Sequence, residues 1–91
     1  MRDKTKIAFR PLQIVVTPGA IALEVDLLPY IDRHLHGDWG DLCEADILEN
    51  EIALVHGERL LSKYEIRPGV DIYIITEWDR TLTTVLLPSE Y

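Results

Sequence analysis

The densest group of side chains able to do chemistry in this chain is the run Arg33-His34-Leu35-His36-Gly37-Asp38-Trp39-Gly40-Asp41. Two imidazoles and two carboxylates so close together suggest a metal site. The spacing argues against one. On a helix, residues two apart point roughly 200° away from each other, so His34 and His36 cannot share an ion unless the backbone is extended from Leu35 onward. A helical zinc motif instead places its histidines at i and i+4, and no HExxH occurs. The expectation is therefore no metal and no cofactor, with Asp38 and Asp41 capping a following helix and Trp39 filling the core.

A second candidate is the polar turn Glu77-Trp78-Asp79-Arg80, followed by Thr81, Thr83 and Thr84. A carboxylate and a guanidinium on one hairpin can hold an anion or form an exposed ion pair. Combined with the first cluster, it defines an enzyme alternative: a small hydrolase or ribonuclease with His34 as base and Asp38, Asp79 and Arg80 nearby. General acid–base catalysis needs such groups within about 3 Å of the reacting atoms, directly or through one water. This alternative therefore requires the end of the second helix to meet the last hairpin. Cys43, the one cysteine, falls at the start of a predicted helix, where the helix N-terminus would lower a thiol pKa and neighbouring Asp41, Glu44 and Asp46 would raise it. No nucleophile elbow, P-loop or dinucleotide fingerprint is present.

Charge gives a different kind of signal. Residues 1–10 carry a net charge of +3 and residues 11–91 a net charge of −10, and from Asp38 to Glu51 six acids occur with no base. A body this acidic repels phosphate backbones, which excludes direct nucleic-acid binding by it. Such a surface keeps a chain soluble, or it meets a basic partner. The residues expected to do the latter are Asp38, Asp41, Glu44, Asp46 and Glu49.

The elements that must carry these residues follow from periodicity and turn chemistry. At 91 residues there is room for one domain, read here as a basic, weakly held arm over 1–10 and an α+β domain over 11–91. Leu12 to Thr17 is apolar and β-branched between two prolines, a strand. Thr17-Pro18 starts a short helix to about Val25. Asp26 caps a second, to about His36, with Leu28, Ile31 and Leu35 in one stripe and Gly37 beyond its end. Asp41 and Glu44 form an acidic capping box for a third helix, about Leu42 to His56. Its predicted inward face is Ala45, Leu48, Ile52 and Val55, within an arc of about 80°. After Gly57 the period becomes two: strands at 60–67, Asp71 to Thr76 and Thr81 to Leu87, joined by Arg67-Pro68-Gly69-Val70 and Glu77 to Arg80. The order β-α-α-α-β-β-β implies an antiparallel sheet of three or four strands with helices on one face. The place of the first strand is open at this point. No apolar run approaches a membrane span, and a lone thiol without a signal sequence suits a cytoplasmic protein.

The stretches TPGAIALEV, RHLHGDWGDL, GERLLSKYEI, IITEWDR and TVLLPSEY resemble a group of uncharacterised small plasmid-related proteins of proteobacterial plasmids and integrated elements. The resemblance spans about residues 12–91, and RH-x-x-GDWG and ITE-x-DR are its most specific parts. In that group the position of His36 is often arginine, which weakens a His-x-His ligand pair. The resemblance implies no activity. It implies the setting of a mobile element, where small acidic proteins include inhibitors of host restriction and CRISPR machinery. The function expected is thus a protein-binding module docking a basic partner, such as a nucleic-acid-processing host-defence protein. A third alternative is a homodimeric interaction domain pairing through an exposed strand at Thr81 to Leu87.

Overall fold

A computed structural model describes residues 2–91. The chain is α+β, with β1 (Gln13–Val16), α1 (Pro18–Ile21), α2 (Leu28–Leu35), α3 (Glu44–His56), β2 (Leu60–Arg67), β3 (Val70–Thr76) and β4 (Leu82–Leu86), then a 3-10 turn at Pro88–Glu90. Element order is as the periodicity implies. The sheet order is β1-β4-β3-β2. β2, β3 and β4 form the antiparallel meander, whereas β1 joins β4 in parallel, Gln13 beside Leu82 and Val16 beside Val85. The sheet is therefore mixed, not antiparallel throughout. Three helices separate β1 from the meander, and a long connection of that kind is what a parallel neighbour requires.

This pairing also corrects the dimer expectation. β4 lies between β1 and β3, so Thr81 to Leu87 is not an edge; the edges are β1 and β2.

One sheet face holds the main core: Tyr64, Ile72, Ile74 and Val85 pack with Ala20 of α1 and Ile31 of α2. A second cluster joins Trp39, Ala53 and Leu60, with Phe9, Ile47 and Leu54 against them. Local chemistry explains the helix starts. Thr17 Oγ1 accepts from Ala20 N–H at 3.2 Å, and although Leu27 rather than Asp26 holds the N-cap position of α2, Asp26 Oδ1 accepts from Leu28 N–H at 3.1 Å. α1 is shorter than expected, since Glu24 adopts φ 55° and turns the chain away.

The start of α3 differs from the capping-box expectation. The helix begins at Glu44 behind Cys43, with no side-chain cap. Asp41 is occupied elsewhere: its N–H donates to Lys63 C=O at 2.7 Å and its Oδ2 accepts from Glu65 N–H at 2.8 Å. Residues 39–41 run beside β2, bridged in parallel at Gly40 and Lys63. Gly40 sits at φ 77°, and a Cβ there would collide with the Lys63 carbonyl and the Tyr64 ring. Only glycine lets the backbone approach this closely.

Besides Phe9 in the second cluster, the basic arm is held by hydrogen bonds at two points. Ala8 N–H donates to Leu35 C=O at 2.8 Å. Arg2 forms a two-pronged pair with Glu51, at 3.1 and 2.7 Å, and donates to the carbonyls of His36 and Gly37. Among the described residues no helix is long and apolar enough to cross a membrane.

Candidate functional site

His34 does not face solvent. It is fully buried, with Nδ1 2.6 Å from Ser62 Oγ and Nε2 2.8 Å from Thr76 Oγ1, which in turn lies 2.7 Å from Thr83 Oγ1. All three hydroxyls are buried too. The result is a polar row across the helix-covered face of β2, β3 and β4. Burial, assisted by the Arg80 charge, pushes the imidazole pKa down to about 3, so His34 is neutral at physiological pH. Two hydroxyls can satisfy a neutral ring, one accepting from its N–H and one donating to its bare nitrogen. With both nitrogens engaged, no proton site is left over for a substrate.

The other proposed catalytic groups are also employed locally. Asp38 pairs with Arg33 at 2.8 Å, and that guanidinium holds its carboxyl below the usual range. Asp79 Oδ1 accepts from Thr81 Oγ1 at 2.7 Å and Thr81 N–H at 3.1 Å, an exposed turn that likewise depresses its pKa. Arg80 donates to the carbonyls of Ala53 (3.0 Å) and Glu58 (2.5 Å), tying the β3–β4 hairpin to the end of α3. Phe9 touches both halves of the imagined site: its ring stands edge-on to His34 at 5.4 Å and beneath Arg80 at 5.8 Å. The helix 2 end and the hairpin therefore approach one another, with an apolar ring where a catalytic pair would need a substrate. His36 turns away from His34, its Nδ1 2.8 Å from Asp32 C=O. Among the described residues no three His, Cys, Asp or Glu side chains converge on a metal position.

Trp39 fills the core as expected, at 2% exposure. Its Nε1–H donates to Glu51 Oε2 at 2.6 Å. Burial alone would raise the Glu51 carboxyl, but hydrogen bonds from Arg2 and Trp39 hold it below its ordinary value.

The main surprise is the orientation of α3. Its predicted inward stripe points outward: Leu48, Ile52 and Val55 are 61%, 47% and 81% exposed, and Ala45 is exposed beside them. The inward face is instead Ile47, Asn50, Ala53 and Leu54. Asn50 explains why. Its Oδ1 accepts from Leu61 N–H at 3.1 Å and its Nδ2 donates to Leu61 C=O at 2.6 Å, so one side-chain amide completes the β2 edge as a neighbouring strand would. A buried amide must find such partners, and turning it outward would leave Leu61 unpaired at the helix contact.

α3 is thus apolar on two sides, and among the described residues the outer side has no cover. Beside it, α3 and β2 enclose an open groove of about 620 Å³, walled by Leu42, Ile52, Ala53 and Leu61 and rimmed by Asp46, Glu49 and Glu58, with one base, Arg59, which pairs with Glu77 at 3.5 Å. Of the five carboxylates expected to meet a partner, Asp38 and Asp41 are engaged within the fold. Glu44, Asp46 and Glu49 are exposed and form no ion pair among the described residues. Sequence reasoning found the acids here but not the apolar stripe between them, because it had assigned that stripe to the core.

No family model, curated protein or solved structure matches the chain.

Proposed function

We propose that the chain is a protein-binding module whose α3 outer face and adjoining groove receive a basic, amphipathic segment of a partner protein. The observation that supports this best is the uncovered stripe Ala45-Leu48-Ile52-Val55, continuous through Ile52 with a groove edged by unpaired carboxylates. Uncovered apolar patches rimmed by charge are a mark of interaction surfaces. An apolar helix face of this kind takes an amphipathic helix through anchors at i, i+3, i+4 and i+7. The net charge of −7 favours a cationic partner and speeds its approach. Nucleic-acid-processing proteins, the partner class suggested by the plasmid-related resemblance, carry the complementary charge.

A synthetic peptide with lysines along one helical face and leucines along the other tests this, against a scrambled peptide of equal composition. The ordered peptide should bind the full chain, weaken with added salt, and bind at least about tenfold more weakly to Ile52→Lys and to Asp46→Lys/Glu49→Lys. Equal binding of the scrambled peptide, or undiminished binding to Ile52→Lys, would overturn the proposal.

A further inference from the structure

The two edges of the sheet are treated differently. The β2 edge is closed along its length: Asn50 satisfies Leu61, Trp39 and Asp41 satisfy Lys63, and Asp41 accepts from Glu65. Among the described residues the β1 edge has no such cover. Gln13 and Thr17 N–H donate inward to Thr81 and Val85 carbonyls. In a parallel ladder the alternate residues then face away, so the N–H and C=O groups of Ile14 and Val16 point outward. Ile14 is 41% exposed and Leu12 84% exposed on that same flank.

We infer that β1 is a self-association edge, pairing antiparallel with β1 of a second copy about a two-fold axis at Val15. In that register Ile14 of each copy stands opposite Val16 of the other, and the two outward residues exchange both backbone bonds. Four hydrogen bonds form, and the two sheets become one of eight strands. Ile14 meets Val16 on the helix-covered side and Val15 meets its own copy on the other, so apolar residues match on both faces.

Charge is what selects a second copy over an unrelated strand. Arg10, exposed at one end of β1, forms no ion pair among the described residues. At the other end stands Glu90, whose Oε1 accepts from Thr17 Oγ1 and Leu87 N–H. Its Oε2 lies against Gly19, 2.6 Å from where a Cβ would sit. Antiparallel pairing about Val15 sets Gln13 of each copy opposite Thr17 of the other, so the chain leading to Arg10 passes the end where Thr17 holds the Glu90 carboxylate. The complementarity occurs twice by symmetry, as an isologous interface requires.

Sedimentation equilibrium of the full chain over a wide concentration range tests the pairing. A reversible dimer of twice the 10.5 kDa chain mass is expected. Ile14→Pro removes an outward N–H and the Ile14–Val16 contact while leaving the Gln13 and Thr17 bonds to the neighbouring strand in place, and should weaken association by about tenfold or more. Arg10→Glu, a surface change remote from the core, should weaken it as well, and Arg10→Glu/Glu90→Arg should restore it. Ile52→Lys, which disables the α3 face, should leave the dimer unchanged, so failure of the docking proposal and failure of this one are told apart. A chain monomeric at every concentration, a dimer indifferent to both Ile14→Pro and Arg10→Glu, or one abolished by Ile52→Lys would overturn the inference.

Discussion

Lowering the pH from 7 to 5 should remove a large share of this protein's stability through one buried residue. His34 has a pKa of about 3 when folded, against an ordinary value of 6.5. Between these values the unfolded chain takes a proton that the folded chain refuses. The stabilising effect of keeping the ring neutral is therefore complete above about 6.5 and is lost progressively as pH falls toward 3. Each unit of separation is worth about 1.4 kcal/mol, so the loss from pH 7 to pH 5 is about 2 kcal/mol. A domain of this length has total stability on the order of 5–14 kcal/mol, so the change is readily measured. Carboxylates such as Asp38 and Glu51, whose pKa values are depressed, lose their contributions only below the ordinary carboxylate range, which leaves the window from 5 to 7 to the imidazoles. Denaturant unfolding at both pH values, on wild type and His34→Gln, separates His34 from the partly exposed His36 and exposed His56. The variant should be less stable at pH 7 and lose most of the difference between the two pH values. Equal pH dependence in both proteins, or an NMR titration placing the His34 ring near 6.5, would refute the account.

Three further outcomes are expected. Leu48→Ala and Val55→Ala should each change unfolding free energy by less than about 1 kcal/mol, because both side chains are largely exposed, whereas core residues would cost about 2–5 kcal/mol. Asn50→Ala should cost about 2–3 kcal/mol in the same measurement, since both polar groups of Leu61 lose their partner at the α3 contact. Arg80→Ala should destabilise by about 1.5–3 kcal/mol through the loss of charge-assisted bonds to Ala53 and Glu58, and hydrogen exchange should quicken first in the last turn of α3.

How much of this was legible beforehand depends on the range of the interaction involved. Thr17-Pro18, the glycine after α2, the glycine after α3 and the change of period at residue 60 act over a few residues, and each boundary they mark is present within a residue or two. The polar cluster at residues 33–41 was visible as a cluster, but not as a set of separate tasks. Asp38 is taken by Arg33, Asp41 by β2 and His34 by hydroxyls on two strands. Those partners lie 5 to 42 residues away, and nothing in the local spacing announces them.

The alternation of apolar residues determined that the chain has an initial strand, three helices and a three-stranded meander, because secondary structure follows local period. The tertiary structure alone decided which side of α3 faces inward. Ala45, Leu48, Ile52 and Val55 make the more continuous stripe, yet Ile47, Asn50, Ala53 and Leu54 are the ones turned to the body. The amide that completes an open strand edge and the packing of Ile47, Ala53 and Leu54 in the second cluster act together, and their sum outweighs the more regular stripe. The parallel placement of β1 has the same origin: it depends on where three intervening helices return the chain, and no residue within β1 encodes that.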